Sequence, residues 1–504
     1  MGVLRVEGLC TLLPLGFGAN SVSPKVPLMK MKLCVFGNAF MLLLLAAVAA
    51  RLPAQEAKHY EPTLASLDSH PLPEWYGDAK LGIFIHWGLY SVPGWAPLNH
   101  PDHDFGSEDY IVYDPYAEWY LNVVKIPGSP TQKYDEEHFG PHHNYYDFKT
   151  QFNAESKKWN PDAMAAVFHD AGAKYVVLTS KHHEGFTLWP SAVENPNQTG
   201  LQAERDIVGE LSDAVRRSGL RMGLYYSGGY DWTFNRGPIE KNSDYDAVKP
   251  ESVAYGNYAD AQIEELIAKY KPAVLWNDID WPKTGKAMEV EADYYNSVPD
   301  GVIDDRFGVA HADFRSPEYA KLDQISEKKW EECRGLGRSF GYNRAEGEAE
   351  TIAPDELIAL LVDIVSKNGN LLLDVGPEAD GTIPPVQMER LRALGAWLKQ
   401  NGEAIYGTKP WTRANGTTNQ VDAKGKAVEV RFTQKDGKLY ATLLGRPAGQ
   451  TVLLHNVKAA AGTEVALLGA GPVKWTQRAE DLEVQLPASM PGDSAWVLRL
   501  TPGR

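Results

Sequence analysis

Ala273-Val274-Leu275-Trp276-Asn277-Asp278 is an apolar run that stops abruptly at two polar residues. Its length suits one buried β-strand, and the polar pair marks its end. Strand residues two apart share a face. Trp276 and Asp278 are therefore expected on one side and Asn277 on the other. Similar runs recur at Leu81–His86, Tyr175–Ser180, Arg221–Tyr226, Val302–Asp305 and Asn370–Val375. Helical patterns lie between them: Pro161–Ala171, Asp206–Ser218, Tyr255–Tyr270, Pro354–Ser366 and Pro385–Gln400. Pro161 near a first turn and Gly172 just past an end are ordinary helix punctuation. This alternation predicts βα units around a parallel sheet. Polar residues gather at the C-terminal strand ends: His86, His182, His183, Tyr225, Asp278 and Arg306. In a (β/α)₈ barrel that face carries the chemistry. In the same phase Tyr225 points inward and Tyr226 outward.

Beyond Tyr406 the texture changes to short alternating runs: Val428–Phe432, Leu439–Leu444, Thr451–Leu454, Leu482–Leu486 and Ser494–Leu500. Gly, Asn and Pro separate them, as in a small antiparallel β-sandwich. The expected architecture is α/β. Residues 1–54 form an N-terminal extension with a secretory signal peptide. Residues 55–405 form a (β/α)₈-like, TIM-type barrel, and residues 406–504 an antiparallel β-sandwich.

The totals agree with a large enzyme. The chain has 504 residues, 43% of them hydrophobic, enough for a barrel and one further module. A net charge of −16 repels phosphate backbones, which argues against a nucleic-acid partner. Met29-Lys30-Met31-Lys32 is a short basic start, followed by an apolar run that peaks at Met41–Ala50. Small residues then offer cleavage after Ala49 or Ala54, the layout of a signal peptide for a secreted or periplasmic protein. Gly37 and Asn38 interrupt the run and argue against stable membrane insertion. Residues 1–28 precede that start, fit a start codon assigned too far upstream, and are left out of the fold reading. Of Cys10, Cys34 and Cys333, only Cys333 survives signal removal, so no internal disulfide is expected. Asn197-Gln198-Thr199 and Asn415-Gly416-Thr417 have the form of glycosylation acceptors.

The segment Trp75-Tyr76-Gly77-Asp78-Ala79-Lys80-Leu81-Gly82-Ile83-Phe84-Ile85-His86-Trp87-Gly88 resembles the opening signature of the α-L-fucosidases, family 29 of the glycoside hydrolases. Five further motifs resemble that family in the same order: Ala171–Tyr175 running on through Lys181–Phe186, Tyr225-Tyr226-Ser227, Trp276-Asn277-Asp278, Ser339–Asn343, and Asn370–Leu373 followed by Val375-Gly376-Pro377. The likeness spans about residues 60–500. It implies a barrel followed by a β-sandwich and retaining cleavage of terminal α-linked L-fucose. It also implies a fucosylated oligosaccharide or glycoconjugate as substrate, and no cofactor or metal.

Glycoside cleavage with retention needs two carboxyl groups roughly 5–5.5 Å apart, one attacking the sugar carbon and one protonating the leaving oxygen. The resemblance makes Asp278 the nucleophile, with Asp280 a local rival of the same parity. It makes Glu318, within Asp313-Phe314-Arg315-Ser316-Pro317-Glu318-Tyr319, the general acid, with Glu331 and Glu332 as rivals. His86, Glu118, Trp119, His182, His183, Tyr225, Trp276 and Arg306 match the family's sugar-binding positions. Carboxylates and histidines suit hydroxyls, and a tryptophan face suits the apolar side of a sugar. Asp374 stands where relatives commonly carry Asn, and is expected in a turn before Gly376-Pro377.

Three alternatives stand beside this reading, the third keeping the chemistry and changing only the sugar. A metal-dependent barrel hydrolase is disfavoured because the first strand has no His-x-His and because His182 and His183 diverge. A non-catalytic sugar-binding protein would keep the histidines and lose a carboxylate. A related glycosidase could accept a galactose-like ring. An exposed sandwich face could pack against a second barrel in a homo-oligomer.

Overall fold

The computed structural model describes residues 58–503 except 99, 104 and 236. The expected signal peptide at 29–54, the boundary at residue 54, Cys10 and Cys34 lie outside the described residues. All elements below belong to the unit His59–Arg504.

Seven parallel strands form the first sheet: β1 (Leu81–Ile85), β2 (Tyr175–Lys181), β3 (Arg221–Ser227), β4 (Val274–Asp278), β5 (Val302–Ile303), β6 (Trp330–Gly335) and β7 (Gly369–Val375). Their order is β5-β4-β3-β2-β1-β7-β6. Isolated parallel bridges run from Asp304 to Phe314, from Arg315 to Trp330 and from Glu318 to Cys333. The irregular segment 314–318 thus spans from the β5 edge to the β6 edge, where an eighth strand would stand. This segment carries Glu318, so the closure of the sheet and the position of that carboxylate share one cause.

Strand parity divides the core. Phe84, Val177, Tyr225, Val274, Trp276, Val302, Cys333 and Leu372 share a cluster inside the sheet. Their chain neighbours Ile83, Ile85, Leu178, Leu224, Leu275, Ile303, Leu371 and Leu373 join the larger cluster outside it. Helices α1 (Pro161–Asp170), α2 (Ile207–Arg217), α3 (Val253–Tyr270), α4 (Ala287–Ser297), α5 (Pro354–Ser366) and α6 (Pro385–Asn401) occupy the connections. The Asn160 side chain accepts from the Ala163 N–H at 3.1 Å and caps α1, ahead of Pro161. Asp206 caps α2 through the Gly209 N–H at 2.9 Å. Each such cap is worth about 1 kcal/mol. Ile207, Val208, Leu211, Ala214 and Val215 give α2 one buried stripe at helical spacing.

Strands β8 (Lys409–Val421), β9 (Ala427–Lys435), β10 (Lys438–Leu444), β11 (Thr451–Leu454), β12 (Glu464–Leu467), β13 (Gly471–Pro472), β14 (Lys474–Arg478), β15 (Asp481–Gln485) and β16 (Trp496–Thr501) build the antiparallel part. Their order is β13-β12-β16-β10-β9-β8-β11-β15-β14. The register of β8 on β9 breaks after Thr417, and Thr418 pairs instead with Leu454 of β11. One long strand therefore serves both halves, which enclose Val430, Phe432, Leu443, Val452, Val484 and Leu498. This part is tied to the barrel helices. Trp397 Nε1 donates to the Ala495 carbonyl at 2.9 Å, and Arg431 Nε donates to Asp363 Oδ1 at 2.5 Å.

The sequence did not anticipate β6, α4, β8, β12, β13 or β14. In β6, Trp330-Glu331-Glu332-Cys333-Arg334 buries three successive residues from Glu331, so no polar–apolar alternation reveals it.

Candidate active site

At the C-terminal ends of the strands opens a cavity of about 850 Å³. His86, Glu118, Trp119, His182 and His183 line it. So do Tyr225, Trp276, Asp278, Arg306 and Glu318. All ten residues expected at the site are thereby brought together.

Asp278 is the last residue of β4 and is 9% exposed. Tyr225, on neighbouring β3, donates to its Oδ2 at 2.9 Å. Arg306 Nη1 donates to its Oδ1 at 2.8 Å. The same nitrogen donates to Glu318 Oε1 at 2.8 Å. These two carboxylate oxygens are therefore no farther apart than twice that distance. Ser316 fixes the guanidinium: Arg306 Nε donates to its Oγ at 3.0 Å and Nη2 to its carbonyl at 2.6 Å. The guanidinium also sits 4.5 Å over the Trp276 ring. Asn277, turned away as parity requires, donates through Nδ2 to the Arg306 carbonyl at 2.6 Å. One residue of Trp-Asn-Asp thus serves the wall, one the backbone behind it, and one the cavity.

The chain reverses sharply after Asp278. Ile279 and Asp280 have φ values of 60° and 70°, an uncommon region for side-chain-bearing residues and strained for β-branched Ile279. This turn removes Asp280 from contention as the local rival. Its carboxylate is exposed and pairs with Lys249 at 2.7 Å, outside the cavity lining. The other rivals also fall away by position. Glu331 is buried beneath the cavity, accepting from Tyr76 at 2.8 Å, from Tyr175, and from Trp276 Nε1 at 3.2 Å. Burial raises its carboxyl to about 7. Glu332 has the opposite parity, and burial raises it to about 7 as well. Neither lines the cavity.

His183 is held by β3. Its Nδ1 lies 2.6 Å from Ser227 Oγ, whose hydrogen goes to the Tyr230 carbonyl at 2.7 Å. Ser227 therefore accepts, His183 carries its proton on Nδ1, and Nε2 offers a lone pair 3.8 Å from Asp278 Oδ2. Burial, followed by the neighbouring His182, holds His183 well below the usual imidazole range, which favours this neutral form. His182 stacks on Tyr225 with centroids 5.7 Å apart.

Glu118 and Trp119 come from a short 3₁₀ turn in the long segment after β1. The motif Ser339–Asn343 anchors that turn. Ser339 Oγ accepts from the Ala117 N–H at 2.9 Å, and the Gly341 N–H donates to Glu118 Oε2 at 2.8 Å. Burial pushes the Glu118 carboxyl up to about 8, against the pull of the Gly341 N–H. Trp119 meets His183 edge-on at 5.4 Å.

Asp374 requires a correction. It lies not in a turn but inside β7, 1% exposed, with Oδ1 2.6 Å from His86 Nδ1. The parity rule used for Trp276 and Asp278 predicts this position from Leu372, which faces inward. Tyr116, Tyr319, Arg338 and Phe340 also line the cavity without having been expected there. Phe340 could have been found, since it stands in a recognised motif. The others come from irregular segments with no periodic signal.

Among the described residues, no group of three or more His, Cys, Asp or Glu is arranged to hold a metal ion. Likewise, no described helix is long and apolar enough to cross a membrane.

Residues 47–403 match the family described as Alpha-L-fucosidase, and residues 424–501 match its C-terminal domain. The tissue alpha-L-fucosidase of Rattus norvegicus is 36% identical over 481 residues, covering 92% of this chain and 97% of its own. A crystal structure of Thermotoga maritima alpha-fucosidase with a mechanism based inhibitor is 42% identical, with a TM-score of 0.80. It covers 88% of this chain and all of that one. The Thermotoga maritima enzyme in complex with fucose is 41% identical at the same coverage, with a TM-score of 0.79. With both parts of the chain matched in order and at this identity, the chain belongs to the alpha-L-fucosidase family.

Proposed function

We propose that this protein is an exo-acting α-L-fucosidase that releases terminal α-linked L-fucose from fucosylated glycans with retention of configuration. The observation that carries retention is the shared Arg306 nitrogen. The shared donor holds those two carboxylate oxygens at most twice 2.8 Å apart, which is compatible with a retaining pair, whose carboxyl groups stand about 5–5.5 Å apart. An inverting pair stands about 6.5–9.5 Å apart, to leave room for water between.

Asp278 attacks the anomeric carbon while Glu318 gives its proton to the glycosidic oxygen. The carbon–oxygen bond breaks, and an ester forms between the sugar and Asp278. Glu318, now a carboxylate, takes a proton from water. That water attacks the same carbon, and the ester breaks to return the Asp278 carboxylate. Tyr225 and Arg306 hold the two Asp278 oxygens in place for attack. His86, Glu118, His182 and His183 receive the sugar hydroxyls, and Trp119 and Trp276 cover its apolar side.

The same reading places the chain outside the cytoplasm, after removal of a signal peptide within residues 29–54. It divides the remainder into a catalytic part to about residue 405 and a β-sandwich beyond. Proton NMR of a reaction on an aryl α-L-fucoside tests retention. The first fucose released is the α anomer, and β-fucose as the first product contradicts the mechanism. A panel of aryl glycosides separates fucose from galactose-like rings.

A further inference from the structure

Asp374 and His86 form a closed pair at the cavity wall. In the sheet, Asp374 of β7 is the register partner of Phe84 of β1. His86 lies two residues beyond Phe84 on the same face, and its N–H donates to the Val375 carbonyl at 3.2 Å. The two side chains meet across this diagonal, with Oδ1 and Nδ1 2.6 Å apart. The other Asp374 oxygen, Oδ2, is buried and has no hydrogen-bond partner among the described residues. The His86 Nδ1 is thus the side-chain partner of the carboxyl group among the described residues, and the backbone N–H of the same histidine also favours its charged form.

We propose that Asp374 is a positioning residue for sugar binding: it occupies Nδ1 of His86 so that Nε2 of that ring carries a hydrogen and faces the cavity as a donor. This rests on the assignment of His86 as a fucose-binding residue. Burial drives Asp374 well above the ordinary carboxylate range and His86 well below the ordinary imidazole range. Both effects favour a pair that is neutral overall, with one proton in the Oδ1–Nδ1 bond and another on Nε2. His183 has the reverse arrangement. Its Nδ1 donates to Ser227, so its Nε2 accepts. The two histidines thus offer a donor and an acceptor to different hydroxyls of one ring, which a pair of identical tautomers does not do.

The proposal distinguishes two substitutions at one site. Asp374→Asn keeps a group that can donate to Nδ1 and so preserves the hydrogen on Nε2. Asp374→Leu keeps the bulk and removes the bond. Titration calorimetry with L-fucose is the measurement, on both variants and on His86→Phe, with thermal midpoints recorded for each. We expect Asp374→Leu to weaken fucose binding about 10-fold and Asp374→Asn to weaken it less than about 3-fold. In the His86→Phe background, Asp374→Leu adds no further loss, because it acts through the ring already removed. KM for an aryl fucoside follows the binding loss. If Asp374→Leu does not fold, Asp374→Ala takes its place in the same cycle. Equal losses from Asn and Leu, or losses that multiply with His86→Phe, overturn the proposal. If the unmodified protein does not bind L-fucose, the functional assignment itself fails, and this inference with it.

Discussion

Asp278 and Glu318 accept hydrogen bonds from a single nitrogen of Arg306, each at 2.8 Å. They reach that atom from different parts of the fold. Asp278 ends a regular strand, whereas Glu318 sits on the irregular segment that closes the sheet. The guanidinium offsets the repulsion between two carboxylates this close, and its fixed plane sets their spacing.

Glu318 as general acid has a kinetic signature. Glu318→Ala slows substrates with poor leaving groups by about 10²–10⁴-fold, while activated aryl fucosides lose far less in their first step. Glu331→Gln and Glu332→Gln give no such dependence on the leaving group, because neither carboxyl lines the cavity. Steady-state kinetics across a series of aryl fucosides checks this. Equal losses on good and poor leaving groups for Glu318→Ala move the role elsewhere.

Glu118 gives a pH-dependent prediction for stability. Burial in the fold raises its carboxyl from the ordinary 4.5 to about 8. The unfolded chain ionises this group above about 4.5, while the fold keeps the proton until about 8. Its contribution is therefore complete at low pH and is lost as pH rises through that window. Glu118→Gln does not titrate. Relative to wild type, the variant gains on the order of 1.4 kcal/mol for each pH unit across the window. Urea unfolding at pH 5 and pH 8 measures the difference, and an identical difference at both pH values counts against it.

Gly229 guards the turn behind Asp278. Its N–H donates to the Asp278 carbonyl at 3.0 Å, and a Cβ there would fall 1.7 Å from the Ile279 carbonyl oxygen. Gly229→Ala forces the β4 turn to move. We expect a stability loss of about 2 kcal/mol or more and a lowered kcat. Chemical denaturation and kinetics on one aryl fucoside check both. A variant with wild-type stability and wild-type kcat contradicts this role for the glycine.

Much of this was legible in the chain itself. Trp276-Asn277-Asp278 announced a strand end, and parity alone sorted its three side chains correctly. The helices with strong punctuation, such as that after Asn160, were found to within a residue or two. Legibility failed where burial contradicts polarity. Glu331 and Glu332 read in the sequence as rivals for the general acid, whereas both are buried off the cavity, Glu331 among Tyr76, Tyr175 and Trp276. Gly376-Pro377 predicts a turn at Asp374, although Leu372 two residues earlier already fixes its direction inward. The long β8 carries no strand signature, because Asn415-Gly416-Thr417-Thr418-Asn419 has the composition of a loop. Its partners on two sides hold it extended. Arg338 and Tyr319 could not be foreseen, since their place at the cavity depends on the path of irregular chain.

The most direct test of the central claim is rescue chemistry at Asp278. Asp278→Gly removes the carboxylate proposed to attack the sugar and leaves room for a small anion. Activity on an aryl α-L-fucoside should fall by about 10⁴-fold or more. Added azide should restore part of it and yield β-L-fucosyl azide, the inverted product, identified by NMR. If Asp278→Gly instead keeps substantial activity, or if azide yields the α-configured product, Asp278 is not the nucleophile.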